Sequence, residues 1–265
     1  MKLSVGYALS DSLDGLLRLK NLRHFTWHEA DFVASYLFYD VISANSAHLE
    51  TMSIGFQYET QMAPHALELS IRSTGLFASN VDNSCIQFDA LHSIVLRNLS
   101  FKLAYDMLHP TFDFGQIRAL KLVNCRCVLE YIKAVRLSGT DINLKSLEFD
   151  YEEIAPSFAQ FNDTKDPGGL AMEVVRLLEA FQGLEQLYIR AMDFLFQSAE
   201  RTPEAILNHS NTLKRLVYHY HDKLGLGPRQ DCPLFWAHHL NHFLDQVSLE
   251  ALGLDIVPGE LVRSS

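Results

Sequence analysis

One six-residue pattern recurs along the chain and constrains its fold more than any other feature. It is an apolar residue, two variable residues, an apolar residue, one variable residue and a third apolar residue, as in Leu144–Phe149. Seven further copies occur: Leu22–Trp27, Leu49–Ile54, Leu91–Leu96, Ile117–Leu122, Leu184–Ile189, Leu213–Tyr218 and Leu249–Leu254. Their starts lie 27, 42, 26, 27, 40, 29 and 36 residues apart, so four of the seven intervals fall between 26 and 29. Self-similarity at such a period indicates a repeat architecture.

The repeat pattern predicts a β-strand in each copy, because its last two apolar residues are two apart and point to one face of a strand. Leu3 and Val5 have the same spacing and predict a first strand that begins at residue 2. The segments between copies have the apolar periodicity of helices. These helices are expected over residues 32–42, 128–135 (ending near Gly139), 170–181 (after a Pro167–Gly169 breaker), 203–207 (with Thr202 as N-cap) and 234–247. Alternating strands and helices predict an α/β fold with a parallel sheet.

Three regions depart from the repeat. Residues 57–90 contain an additional alternating run, Leu67–Ile71, and residues 150–168 and 222–233 are expected to be loops. No linker divides the chain, so we expect residues 1–265 to form a single domain. A solenoid of repeats needs a polar cap at its end. No polar cap precedes Leu3, so we expect the chain to be a fragment or a truncated version of a longer protein.

Composition narrows the classes of partner and compartment. The 265 residues carry a formal net charge of −10, which opposes binding to nucleic acid and to anionic membranes. The four cysteines show no disulfide spacing, and the N-terminus has no signal-peptide pattern. No apolar run reaches the length of a membrane span. We therefore expect an intracellular protein, cytoplasmic or nuclear, that binds proteins and neither nucleic acid nor membranes.

The repeat pattern and the helices between its copies resemble leucine-rich repeats, most closely those of fungal F-box/leucine-rich-repeat-like proteins. Ile117–Leu122, followed by Cys125, is the best match to the fuller pattern, which continues with Asn or Cys three residues after the last leucine. The other copies carry different residues there: Ala30, Gln57, Leu99, Glu152, Met192, His221 and Val257. The asparagine ladder of regular repeats is therefore missing. No F-box segment is recognisable in the sequence.

The resemblance implies a solenoid with irregular repeats, in which a curved parallel sheet lines the concave side and helices cover the convex side. It also implies a non-catalytic scaffold for protein–protein interaction, as in the substrate-recognition part of an F-box-type ubiquitin-ligase receptor. Such a receptor would bind the ligase adaptor through a segment upstream of this chain. Strand residues that alternate with the core would face the partner. The candidate partner-binding residues are Arg97, Lys121, Glu148, Asp150, Tyr188, Arg190, Arg215 and His219.

Two histidines leave a metal-binding function open. His238 and His242 lie four apart, a spacing that can bind zinc, which leaves a metal-dependent hydrolase as an alternative. A truncated repeat fragment without an independent role is a third reading. No glutamate follows His238 and no carboxylate is tied to the pair by spacing, so we predict no catalytic residue, no metal and no cofactor.

Two smaller features have ordinary structural readings. Cys125 and Cys127 are too close for a Cys-x-x-Cys site, and Cys125 is predicted to be a buried packing residue. The acidic stretch 148–153 lacks calcium-loop spacing. It is predicted to be a solvated acidic patch, or else a contact for a basic partner segment.

Overall fold

The computed structural model describes residues 2–5, 15, 18–30, 35–56, 86–98, 101, 112–125, 128–137, 139–150, 167–192, 201–221 and 243–254. Within these residues nine strands form one open sheet, in which the strands lie in chain order and every neighbouring pair is parallel. The strands are β1 (Lys2–Val5), β2 (His24–Ala30), β3 (Thr51–Phe56), β4 (Ser93–Arg97), β5 (Ala119–Val123), β6 (Ser146–Asp150), β7 (Gln186–Met192), β8 (Arg215–His221) and β9 (Ala251–Leu254). The helices described are α1 (Ser35–Asn45), α2 (Val128–Leu137), α3 (Pro167–Glu179) and α4 (Thr202–Leu207). The predicted α/β fold with a parallel sheet is confirmed.

The copies of the repeat pattern pair with one another position by position. Leu147 lies between Leu120 and Leu187 in register, and the residues two further along each strand are aligned in the same way. One irregularity occurs, in β2, between Trp27 and Ala30. The predicted first strand is confirmed, because Leu3 pairs with Phe25. Since the side-chain period of a strand is two, this common register places equivalent residues of all copies on the same face.

One face of the sheet belongs to the hydrophobic core. Leu144, Leu147 and Phe149 are buried, as predicted, whereas Glu148 between the last two is partly exposed. The equivalent residues of the copies from Leu22 to Ile189 are buried too, and they join the buried residues of the helices in one cluster. Leu252, on β9 at the end of the sheet, departs from this rule and is 42% exposed.

The helices continue the core and are tied to each other. α2 contacts α3, and α3 contacts α4. The buried carboxylate of Glu173 on α3 accepts hydrogen bonds from Arg136 on α2, at 3.2 Å from Nε and 3.1 Å from Nη2, and from Arg176 one turn along α3. A buried carboxylate needs such partners, because leaving its charge uncompensated would cost several kcal/mol, on the order of 3–5.

Two predicted helix starts differ from those observed. Pro167–Gly169 is the first turn of α3 and not a breaker before it, because proline is tolerated where the helix N–H groups have no intrahelical partner. Thr202 is the first residue of α4, and Arg201 occupies the cap position without a side-chain cap hydrogen bond. The predicted helices over 32–42 and 128–135 correspond to α1 and α2.

Asparagines turn the chain at the carboxyl ends of β4 and β5. Asn98 and Asn124 have φ values of 55° and 50°, a conformation that asparagine tolerates better than most residues. Their N–H groups donate to the carbonyls of Val123 and Asp150 on the next strands, at 2.9 and 2.8 Å. Cys125 follows as a buried thiol, 3.4 Å from the carbonyl oxygen of Leu96, which confirms its predicted burial.

Several predicted features lie outside the described residues. They are the alternating run Leu67–Ile71, the expected loops over most of 150–168 and 222–233, and most of the helix expected over 234–247. None of the helices in the described part of the chain combines the length and the apolar character needed to cross a membrane.

Candidate interaction face

The strand residues that alternate with the core form the opposite side of the sheet, which we call the open face. On β3 to β8 its described side chains are Thr51, Ser53, Ser93, Val95, Arg97, Ala119, Lys121, Val123, Ser146, Glu148, Asp150, Gln186, Tyr188, Arg190, Arg215 and Val217. Most of them are partly exposed. The face is thus a patterned polar surface whose geometry is fixed by the sheet beneath it.

The common register arranges the open face in rows that run across the strands. The middle row contains Lys121, Glu148 and Tyr188 on consecutive strands. The next row contains Arg97, Val123, Asp150, Arg190 and His219. The prediction of a shared face is therefore confirmed for the candidates whose side chains are described, and seven of the eight candidate positions lie in the two rows. Arg215 lies in the remaining row, beside Gln186.

Ion pairs join the three central strands of this face. Lys121 on β5 donates to Glu148 on β6, and Arg190 on β7 lies 3.6 Å from Asp150 on β6. All four side chains are less than one third exposed, so water screens these pairs less than it screens pairs at the surface. The prediction of a solvated acidic patch is therefore wrong for Glu148 and Asp150, because each carboxylate faces a cation on a neighbouring strand.

Tyr188 lies among these charges. Burial raises the pKa of its hydroxyl, and the carboxylate of Asp150 raises that pKa further. The charge of Arg190 and a hydrogen bond from its guanidinium act in the opposite direction. The net rise keeps the hydroxyl protonated at neutral pH. Tyr188 thus offers an aromatic ring and a neutral hydroxyl, the combination that often anchors protein interfaces.

Two arginines of the open face have no ion pair with any described residue. Arg97 is partly buried, its register neighbours are Gly55 and Val123, and its Nε is buried without a hydrogen-bond acceptor in the described part of the chain. Arg215 is exposed, with Gln186 and Ala251 as register neighbours. Neither neighbour pair can neutralise a guanidinium charge.

The described residues contain no metal site of the kind considered as an alternative. Among them no three histidine, cysteine, aspartate or glutamate side chains are grouped so that they could hold a metal ion. His238 and His242 lie outside the described residues. The backbone places His219 beside Arg190 and His221 beside Met192. His24, at the other end of the face, is 2.9 Å from the hydroxyl of Thr51 through its Nδ1.

The pairing of charges across strands was not recognised from the sequence, although a signal for it was present. Lys121 and Glu148 are both the fifth residue of their copy of the repeat pattern, and Asp150 and Arg190 both follow directly after theirs. Aligned copies in a parallel sheet bring such residues side by side. Opposite charges at one position of successive copies therefore predict an ion pair.

Comparison of the chain with protein-family models, with curated proteins and with solved structures gave no match in any of the three. The geometry itself defines the class: an α/β protein with an open, all-parallel sheet in chain order. One face of that sheet is covered by the apolar core, and the other carries ordered rows of polar and charged side chains.

Proposed function

We propose that this protein is a non-catalytic protein-interaction module, built as an irregular leucine-rich-repeat solenoid whose open face is the concave binding surface. The observation that carries the proposal is the unbroken register from β3 to β8, which stacks the variable residues of each copy into rows. A row of this kind can be changed one residue at a time without disturbing the core. Such an arrangement suits the recognition of another protein's surface.

The open face has the dimensions of a protein interface. Nine strands at about 4.8 Å spacing span about 38 Å, and five residues along a strand span about 16 Å. The product, about 600 Å², approaches the ~800 Å² that one partner contributes to an interface of standard size. The face can therefore accommodate a folded surface or an extended segment of a partner.

The centre of the face is prepared for binding. Tyr188 and Arg190 are residue types that frequently dominate interface energies. The ion pair with Asp150 and the hydrogen bond to the hydroxyl of Tyr188 hold Arg190 in place before a partner arrives. Side chains that are already ordered lose less conformational entropy on binding. Lys121, paired with Glu148, extends the ordered region by one strand.

The resemblance to F-box/leucine-rich-repeat-like proteins suggests one cellular setting for the module. In a ubiquitin-ligase receptor the open face would recognise the protein to be degraded, and the ligase adaptor would bind a segment outside this chain. The rows of variable side chains support this extension, because target selection requires a surface that can diversify.

A double substitution tests the proposal. Tyr188→Ala with Arg190→Ala removes the central anchors, and we expect the affinity for a partner captured from source cells to fall by at least about tenfold. The partner is first identified by quantitative capture, and its affinity is then measured by calorimetry with purified proteins. Circular dichroism checks that the variant is folded.

The matched control removes an ion pair elsewhere. Glu179→Ala with Arg201→Ala deletes the pair between the end of α3 and the start of α4, outside the open face, and should leave partner affinity unchanged. Equal affinity of the folded open-face variant and the wild type for every captured partner would refute the proposal.

A further inference from the structure

The charge of the open face is opposite to that of the chain. Its described side chains on β3 to β8 include four basic groups, Arg97, Lys121, Arg190 and Arg215, and two acidic groups, Glu148 and Asp150. These described side chains thus sum to a charge of +2, whereas the whole chain has −10. Both acids are used in ion pairs within the face. Among the described side chains of β3 to β8, the uncompensated positive charge is therefore located on Arg97 and Arg215.

The positions of these two arginines define a distance. Arg97 on β4 and Arg215 on β8 are four strands apart in the sheet, about 19 Å, and four residues apart along the strand direction, about 13 Å. The diagonal between them is about 23 Å, the length of about seven residues of extended chain. Glu148 lies at the middle of that diagonal, with Tyr188 beside it on the next strand.

We propose that the open face binds an extended segment of a partner protein that has one acidic side chain at each end and an uncharged middle. One carboxylate binds Arg97 and the other, about seven residues along, binds Arg215, since planar guanidinium groups match carboxylates in two-pronged hydrogen bonds. The middle of the segment crosses the ion pair of Lys121 and Glu148, which has no net charge to attract a further acid, and packs against the ring of Tyr188. This inference rests on the proposed function and specifies its partner.

The charge pattern favours an acidic protein segment over nucleic acid. A nucleic acid has a charge at every phosphate, so its middle phosphates would lie over the already neutralised pair of Lys121 and Glu148, and its ends would extend over a chain with a net charge of −10. A segment with two separated carboxylates meets Arg97 and Arg215, the two cations without an ion pair among the described side chains of this face. The notion that the acids at 148–153 attract a basic segment is disfavoured on this face, because Glu148 and Asp150 already have basic partners.

A peptide library tests the inference on the full chain. Random ten-residue peptides displayed on phage are selected against the wild-type protein, and the enriched peptides are measured by fluorescence polarisation. We expect the enriched sequences to have Asp or Glu about seven residues apart, with no acid midway. Arg97→Glu and Arg215→Glu, made singly, should each weaken binding by about tenfold or more, since a contact worth about 1.4 kcal/mol corresponds to a factor of ten.

Arg118→Glu is the matched control, because Arg118 is exposed, lies outside the open face and forms no ion pair with a described residue. It changes the net charge by the same amount and should leave peptide affinity unchanged. Arg215 is exposed, so its variant should fold even if Arg97→Glu does not. The Arg215 measurement alone therefore keeps the inference testable.

Some results would overturn the acidic-segment inference alone, and others would also overturn the proposed function on which it rests. Enriched peptides that lack acids, yet lose binding with Tyr188→Ala, would overturn the inference and leave the proposed function in place. Peptides whose binding depends on no open-face residue would overturn both. An eight-nucleotide oligothymidylate that binds through Arg97 and Arg215 as tightly as the best peptide would also overturn the inference, in favour of a phosphate ligand.

Discussion

Asn45 and His209 occupy equivalent positions in two repeat units, each unit being one copy of the repeat pattern with the segment before it. Each lies four residues before a copy of the repeat pattern, each is 1% exposed, and each uses its side chain to accept the N–H of the first leucine of the preceding copy. For Asn45 this is Leu22, at 2.9 Å, and for His209 it is Leu184, at 3.3 Å. We call this side chain the latch of its unit. The residue before each of the two leucines has a positive φ, so the local turn is similar as well.

The two latches differ in the chemistry of the group. The amide of Asn45 also donates to the carbonyls of Leu19 and Val41, at 3.0 and 2.8 Å, and it does not titrate. The imidazole of His209 has one further bond, from Nε2 to the carbonyl of Leu178 at 3.0 Å. Because its Nδ1 accepts and its Nε2 donates, His209 must be neutral with the proton on Nε2. The same connection between repeat units is therefore independent of pH at Asn45 and sensitive to pH at His209.

Asn45→Ala should produce the largest loss of stability. The substitution leaves the N–H of Leu22 and two carbonyl groups without their partner in a buried region, and we expect the free energy of unfolding to fall by about 3 kcal/mol. Urea denaturation followed by circular dichroism measures the change. Ser46→Ala is the control, because among the described residues the hydroxyl of Ser46 bonds only the carbonyl of Ser43, in an exposed position, and it should cost less than about 0.5 kcal/mol. Equal effects of the two substitutions would show that Asn45 does not act as a latch.

Acidification should weaken the His209 latch and leave the Asn45 latch intact. Burial lowers the pKa of His209 below its ordinary value of 6.5, and the bond to Leu178 opposes this effect only in part. The unfolded chain therefore binds the proton first, so the contribution of His209 to stability is complete above pH 6.5 and declines as the pH falls below it. At pH 5.5 the decline from one group cannot exceed about 1.4 kcal/mol.

The histidine variant isolates this contribution. His209→Asn keeps an acceptor for the N–H of Leu184 but cannot titrate, so the difference in unfolding free energy between wild type and variant should narrow from pH 7.5 to pH 5.5. Comparing differences removes the contributions of the other histidines, which both proteins share. A constant difference over this range would mean that the pKa of His209 is the same in the folded and unfolded chains.

The sequence predicts the strands and the two faces of the sheet well, because each of those features repeats. Leu147 and Phe149 could be assigned to the core, and Glu148 to the open face, from a period of two within one copy and from the recurrence of that copy along the chain. A parallel sheet in chain order then follows from the alternation with helices. Leu252 is an exception, because it occupies an apolar position of an intact copy of the pattern and is nevertheless exposed on β9, the last strand.

The latches could not be predicted in the same way, because each depends on a bond between units more than 20 residues apart. One signal was available. Four residues before the first leucine, most copies carry a polar residue, as at Asn45, Asp113 and His209. A polar residue at a constant position next to a buried helix end indicates that its side chain has a backbone partner. Sequence alone does not identify that partner, which belongs to the neighbouring unit.

The hydroxyl of Tyr131 is a third buried polar group, and unlike Asn45 and His209 it has no hydrogen-bond partner among the described residues. The ring of Tyr131 is buried and stacks on Phe101 at a centroid distance of 4.3 Å. Removing an unsatisfied hydroxyl removes a desolvation cost, so Tyr131→Phe should raise the free energy of unfolding by up to about 1 kcal/mol. Tyr188→Phe is the control in urea denaturation and should lower it slightly, because that hydroxyl accepts a bond from Arg190. A loss of more than about 1 kcal/mol with Tyr131→Phe would mean that this hydroxyl also bonds a partner and acts as a latch does.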